Sequence, residues 1–438
     1  MRFYHAGFAI AVAAAVQVAG SAHAADEVAM QPGAETPFGG FYVGAEVAHS
    51  LANNKLEVGQ GGDTLTFDGW GGNGFSGGVF AGYDHVFNNG YLIGGQIGGS
   101  ISDIGSHGNF SSGGGEYFRG ELKTDWFAQA SVRAGYLTNP ETLLFGSLGV
   151  TVAHGVGSYD YFDGTDGDSD SDQEFFYGVA LGTVGIETVL SGNVRGRFEY
   201  VASYLNQQNF TFDEGVSLGV TPIIGSAKVS LVYGFGGSQP VDRVFANAPE
   251  TWSGFFGGVR AGHEMGTTKL TVDDGSNHYE FDGFGSNGLM AGAFLGYNHQ
   301  IGSRFVVGVE GHVSATTINN RLALEGEGSI ETGTGSSLSG RIRAGVLVNP
   351  ATLLYAYGGY GRNWMYTEIS DGFNSQREHF HVDAVEFGGG AETFVTERVS
   401  VRGEYGIVLT ENLLDDLGAP ASLKKTGATG SISAVLHF

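Results

Sequence analysis

The sequence predicts an all-β fold, an antiparallel transmembrane β-barrel made of two tandem eight-stranded units. Three observations predict it. The same pattern is written twice: GVFAGYDHVFNNGYLIGGQIGGSIS from Gly78 returns as GAFLGYNHQIGSRFVVGVEGHVSA from Gly292, RAGYLTNPETLLFGSLG from Arg133 as RAGVLVNPATLLYAYGG from Arg343, and GIETVLSGNVRGRFEY from Gly185 as GAETFVTERVSVRGEY from Gly390. The period is roughly 205 to 215 residues, too long for a solenoid unit and the size of a small barrel. Within each copy, apolar or alternating runs of about ten residues recur, the length a tilted strand needs to cross hydrocarbon. Composition agrees, with 77 Gly, 31 Phe and 19 Tyr against 8 Pro and no Cys. Without Cys an exported chain has no disulfide scaffold, so a hydrogen-bonded sheet must hold it together.

The chain starts with an export signal. Arg2 and His5 precede an apolar run from Ala6 to Val18, and Ala22-His23-Ala24 offers small residues for cleavage after Ala24. A run of about 13 apolar residues is too short to span a bilayer as a helix. The expected organisation is a signal peptide (1–24), a leader (25–37), a first barrel repeat (38–236), a linker (237–250) and a second repeat (251–438). The formal net charge of −25 argues against nucleic acid, whose binding needs a basic footprint.

In the first copy, strands are expected at Phe38–His49, Gly74–Phe87, Tyr91–Ser102, Thr124–Leu137, Thr142–His154, Phe175–Leu190, Asn193–Leu205 and Ser226–Phe235. The second copy repeats them at Gly254–Glu264, Leu289–Ile301, Arg304–Thr316, Ser336–Leu347, Thr352–Trp364, Asp383–Val395, Arg398–Thr410 and Gly427–Phe438. Asn88-Asn89-Gly90, Thr138-Asn139-Pro140-Glu141 and Ser191-Gly192 read as tight turns. On the other side, 50–73, 103–123, 155–174, 206–224, 265–288 and 365–382 read as long polar loops. Short periplasmic turns and long extracellular loops are the outer-membrane arrangement. The chain ends on Phe438, in the last expected strand.

The turn GYNHQ (Gly296–Gln300), the strand GVEG (Gly308–Gly311), RIRAG before NPATLLY, and GGGAE paired with VRGEY resemble the small alphaproteobacterial outer-membrane β-barrel family, which is opacity-protein-like with an OmpA-type eight-stranded barrel. The resemblance covers both copies and is clearest in the second. It implies location in the cell outer membrane, a structural or surface role and no enzymatic activity. It also implies contact with outer-membrane lipid and lipopolysaccharide, and Phe438 as the signal read by the outer-membrane assembly machinery. Members usually carry one barrel, so the tandem arrangement departs from the pattern.

Strand phase predicts the interior. Val399, Val401 and Tyr405 alternate with Arg402 and Glu404, and Val194, Phe198 and Tyr200 with Arg195, Arg197 and Glu199. The apolar set is expected to face lipid, so the charged set points into the lumen. The same phase puts Gln96 and Glu310, Arg133 and Arg343, and Glu187 and Glu392 inside. Buried charges must be paired, so the Arg and Glu of each copy, Arg197, Glu199, Arg402 and Glu404 among them, are expected in an interleaved stack that fills an eight-stranded barrel. A charged constriction in a water-filled pore is the alternative.

The segment Gly236–Ser253 is longer than any other turn on its side and parallels the leader, Val28 to Phe41 matching Val244 to Phe255. A duplicated leader favours two barrels; one sixteen-stranded, porin-like barrel would need only a short hairpin there. His312 and Ser314 are spaced like the His-x-Ser of an outer-membrane lipid A deacylase, but their phase points inward and copy one has Gly98 and Ser100 instead. No catalytic residue, cofactor or metal is therefore expected. His379 and His381 lack further placed ligands. The acidic run Asp163–Asp172 lacks the fixed Gly and Glu offsets of an EF-hand and reads as a solvated loop. The expected function is a structural surface protein, with a diffusion channel as the alternative and a loop-borne receptor or adhesin as a weaker one. No pattern names a ligand.

Overall fold

The structure is a computed structural model that describes residues 34–438 except 61–62, 113, 212–216, 274, 276, 325–327, 371–373 and 411–420. The expected signal peptide and most of the leader lie outside the described residues. Everything with regular structure among the described residues is strand. In chain order these are β1 (Ala34–Thr36), β2 (Gly40–Gln60), β3 (Asp63–Val86), β4 (Tyr91–Ser112), β5 (Tyr117–Asn139), β6 (Thr142–Phe162), β7 (Gly167–Ser191), β8 (Val194–Leu205), β9 (Gln208–Thr211) and β10 (Ser217–Gly234). After β11 (Gln239–Val241) come β12 (Gly254–Asp273), β13 (Asn277–Ile301), β14 (Phe305–Thr316), β15 (Asn319–Leu324), β16 (Gly328–Asn349), β17 (Thr352–Ser370), β18 (Ser375–Phe394), β19 (Val399–Thr410) and β20 (Ala421–His437).

Neighbouring strands pair antiparallel into a closed barrel sheet. β2 lies between β3 and β10, the latter paired from Leu218↔Val58 to Gly234↔Tyr42. β12 lies in the same way between β13 and β20, from Phe256↔His437 to Val272↔Ala421. Three further ladders join the two halves of the chain. β4 pairs β13 over His107–Ser112 and Asn277–Asp282, β3 pairs β15 over Leu65–Asp68 and Arg321–Leu324, and Trp70 pairs Phe284. At the short-turn end, Gly90 and Gly302 take φ of +84° and +63°, backbone that favours glycine.

Each expected strand core falls within an observed strand, but the long loops are corrected. Residues 155–174 are the outer ends of β6 and β7, which pair as far as Phe162↔Gly167. The same holds for 50–58 in β2, 103–112 in β4 and 365–370 in β17. Outside hydrocarbon a strand needs no apolar face, so a reading tuned to ten apolar or alternating residues stops at the bilayer edge. The leader and linker are more than connectors. Ala34–Thr36 of β1 pairs with Gln239–Val241 of β11, and Thr36 Oγ1 donates to the Pro140 carbonyl at 2.9 Å. Arg243 stacks over Tyr136 at 3.8 Å and donates to the Leu137 carbonyl.

Outward residues such as Ile97, Leu295 and Ile342 remain about 70% exposed, an apolar belt on a sheet whose inner face carries buried charge. One set of outward residues is covered. Val401 is 3% exposed and packs with Ile186, Ala391, Val395 and Ile432. The expectation that Val401 faces lipid is therefore corrected: alternation says that it points out of its lumen, and the other half of the chain lies there.

Candidate functional site

The lumen is where polar chemistry concentrates, in one cluster per half near the short-turn end. In the first half, Glu187 is fully buried and takes three arginines: Arg133 Nη1 at 2.7 Å, Arg195 Nε at 3.1 Å and Arg197 Nε at 2.8 Å. Arg133 also makes a two-bond contact to Asp84. Arg197 Nη1 donates to Gln96 Oε1 at 2.6 Å, and that oxygen also accepts the Tyr42 hydroxyl at 3.2 Å. Glu199 accepts the Ser147 hydroxyl at 2.6 Å. Three guanidinium groups thus meet two carboxylates, Glu187 and Asp84, in a space without bulk water, which is how buried charge becomes tolerable, while Glu199 is held by Ser147 rather than by an arginine. Ring faces complete the packing, with Arg133 over Tyr42 and Phe145 and Arg197 over Phe80.

The second half builds the same cluster with altered parts. Arg343 Nη1 donates to Glu392 Oε2 at 2.8 Å, and Arg402 Nη2 lies 3.0 Å from the same oxygen. Arg402 Nη1 lies 3.0 Å from Glu310 Oε1, and Arg343 Nε lies 3.3 Å from it. Glu404 accepts the Tyr355 hydroxyl at 2.7 Å and keeps 3.9 Å from both Arg341 and Arg402. Where the first half has Asp84 and Gln96, the second has Asn298 and Glu310. The carboxylate has moved from one wall to the other, and Asn298 now receives Arg343 through its amide oxygen at 2.9 Å.

All ten interior residues expected from strand phase lie in these clusters. Phase also held a signal for Asp84, Asn298, Arg341 and Glu386, which were not singled out. Asp84 sits beside a tight turn, and the Arg341–Glu386 pair has no charged counterpart in copy one, where Ser131 occupies the Arg341 position. The turn-end caps were missed as well. Phe38 lies under Arg195 at 5.0 Å, and Trp252 packs on Phe394 while its Nε1 donates to the Pro350 carbonyl at 3.0 Å.

Above the clusters the halves differ. The first has a polar cavity of about 40 Å³ beside Glu46, Gln129 and Lys228, closed off by Trp70, Ile104, Leu122, Phe176, Phe210 and Ile224, an apolar plug across the interior. The second holds a polar cavity of about 80 Å³, room for a few waters, beside Arg260, Glu264, His312, Arg341 and Lys425. His312 Nε2 lies 2.8 Å from Glu310, and Arg260 Nη1 lies 3.3 Å from His312 Nδ1. His312 and Ser314 are therefore inside and buried. His379 and His381 are exposed on β18, opposite Tyr366 and Trp364. In the acidic run, Asp163 caps its own hairpin, accepting the amides of Asp166 at 2.7 Å and Thr165 at 2.8 Å. Those bonds, from Asp166 first, hold its carboxyl below the usual range. The remaining carboxylates line an exposed strand, where Asp168 accepts the Tyr159 hydroxyl and Asp172 accepts the Thr211 amide. Phe438 is exposed, and its amide donates to the Phe255 carbonyl at 3.0 Å.

Residues 244–433 match the family model described as outer membrane protein beta-barrel domain. No curated protein matches the chain. Among solved structures, a FadL homologue of Pseudomonas aeruginosa is 11% identical, with 91% of this chain and 90% of that one covered, at a TM-score of 0.26. Ail, the attachment invasion locus protein of Yersinia pestis, is 14% identical, with 42% of this chain and 99% of that one covered, at a TM-score of 0.25. The toluene transporter TodX of Pseudomonas putida is 10% identical, with 91% and 90% covered, at a TM-score of 0.25. These likenesses are too distant to carry an argument about activity. The match over residues 244–433 and the antiparallel sheet closed into a barrel agree on an outer-membrane β-barrel fold.

Proposed function

We propose that this chain is a surface protein of the outer membrane built from two tandem eight-stranded barrels, 38–236 and 251–438, each filled by its own side chains, and that it is not an open diffusion channel. The observation that carries the reading is the obstructed interior of the first half, where an apolar plug, a polar layer of Lys228 held by Glu46 and Gln129, and three arginines locked on Glu187 follow one another. An eight-stranded barrel is just wide enough for such a filling. Support for two closures comes from β10 returning to β2 and β20 returning to β12. The near-repeat of the sequence supports a duplicated ancestor of the opacity-protein-like kind.

In this reading the tight turns face the periplasm behind a cleaved signal peptide, and the paired outer strand ends stand in the extracellular medium. Phe438, exposed at the close of the last strand, is offered to the assembly machinery. Lipid and lipopolysaccharide surround the apolar belt, and the role is structural, without catalysis. The test is electrical: refolded chain in a planar bilayer should pass little or no current. Large, steady unitary steps from the purified chain overturn the reading in favour of a porin.

A further inference from the structure

We infer that the two halves hold each other through one self-complementary surface, so that the partner this surface fits is a second half of the same kind. The inference rests on the two-barrel reading above. FYVGAEVAH from Phe41 aligns with FFGGVRAGH from Phe255, which makes His49 the counterpart of His263. The repeats quoted from Gly185 and Gly390 make Tyr200 the counterpart of Tyr405. His49 Nδ1 shares a hydrogen bond of 2.6 Å with the Tyr405 hydroxyl, and His263 Nδ1 shares one of 2.8 Å with the Tyr200 hydroxyl. Residue i of one half meets j of the other, and their counterparts meet in exchange. That reciprocity defines an isologous contact about a two-fold axis.

The same reciprocity holds at both ends of the barrels. At the short-turn end, Asn349 Nδ2 donates to Thr142 Oγ1 at 3.0 Å, and its counterpart Asn139 reaches Thr352 Oγ1 at 3.5 Å. Thr142 and Thr352 are themselves counterparts and meet at 3.0 Å, as residues on an axis must. At the far end, FDGWGG from Phe67 aligns with FDGFGS from Phe281, and the counterparts Trp70 and Phe284 pair in register. One position on, Gly71 and Gly285 approach so closely that a Cβ on either would lie 2.7 Å from the other's Cα. Around that crossing the outer strands trade partners: β3 leaves β4 for β15, and β13 pairs with β4.

Between the ends, apolar residues from both halves close the surface, with Ile186 and Leu144 against Val401 and Leu354. The surface therefore runs the length of the barrels, with side-chain hydrogen bonds at two heights and strand exchange at the top. Such a contact does not need the covalent linker to persist.

The test uses the full chain, which has no cysteine of its own. A protease site inserted between the exposed Asn247 and Ala248 is cut after folding in detergent. The two pieces should stay together at the mass of the intact chain on native sizing. A Thr142→Cys/Thr352→Cys version should form an internal disulfide in high yield. His49→Ala and His263→Ala should lower the temperature at which the cut pieces part by equal amounts. If the disulfide forms in the cysteine version but the pieces of the cut chain without cysteines separate as two compact, heat-resistant bands, the inference fails and the two-barrel reading stands. If no disulfide forms while the pieces stay together, both fail, because Thr142 and Thr352 would then lie apart on one large ring. Markedly unequal losses at His49 and His263 would overturn the symmetry.

Discussion

Arg402 and Glu310 meet at 3.0 Å across the interior of the second half, both at or below 6% exposure, on strands that are not neighbours in the sheet. The contact spans the barrel where a backbone ladder cannot. Arg402→Ala would leave Glu310 and Glu392 short of a cation, a loss of about 3–5 kcal/mol for a broken buried pair. Val401→Ala trims a residue packed against the other half and should cost less, about 1 kcal/mol or slightly more. Val309→Ala, on the open belt, should cost least. Urea midpoints at fixed detergent concentration give the order; a Val309 variant as damaging as Arg402→Ala refutes the assigned phase.

The displaced carboxylate makes a second prediction. Asp84→Asn in the first half removes a partner of Arg133, and Gln96→Glu places a new carboxylate beside Arg197. Each change alone should destabilise. Together they reproduce the second half's arrangement, and the cycle should show a favourable coupling of about 1–3 kcal/mol. Strict additivity would mean that the two sites do not share one electrostatic cluster.

Phe176→Ala and Phe210→Ala should each cost about 3–5 kcal/mol, because the plug cannot collapse around a lost ring. Neither should produce a conducting pore, since the Arg133–Glu187–Arg197 cluster still blocks the lumen below. Thermal unfolding and bilayer recording on the same samples check both halves of the statement; current through the Phe176→Ala variant would place the seal in the plug alone.

Asp163 gives a pH signature. Its carboxyl is held low by the amides of Asp166 and Thr165, so its contribution to hairpin order is complete above the ordinary carboxylate value near about 4. The contribution is lost as pH falls through the lower native value. Carboxyl NMR should find its midpoint below that of a free aspartate, and Asp163→Ala should ease protease cutting at residues 163–166 on intact cells at neutral pH. A midpoint at or above the free value would show that the cap does not persist in solution.

How much of this was legible follows from what a bilayer imposes. Period-two alternation over hydrocarbon fixes which residues face in, so Arg133, Glu187, Arg402 and Glu392 could be read from sequence. Beyond the bilayer edge that contrast vanishes. Tyr159, Tyr161 and Asp168 sit on well-paired strands, yet their run reads as a polar loop. Alternation also cannot tell lipid from protein on the outer face. Val401 and Ile97 carry the same outward signal, and only the packed halves separate the buried one from the exposed one. The His49–Tyr405 and Tyr200–His263 pairs were hidden for the same reason. Their residues lie 356 and 63 positions apart, and nothing local joins them.

The exchanged outer strands constrain the order in which this molecule can be made. β3 emerges early in export and pairs with β2 on one edge, yet Leu65–Asp68 finds a partner for its other edge only when residues 321–324 arrive. Until then the first rim carries unpaired backbone, a sticky edge of the kind that invites misassembly. Completion of the early half is thus tied to the late one. The chain must mature as a whole, and a truncation that removes β15 would leave its mark on residues more than two hundred positions upstream.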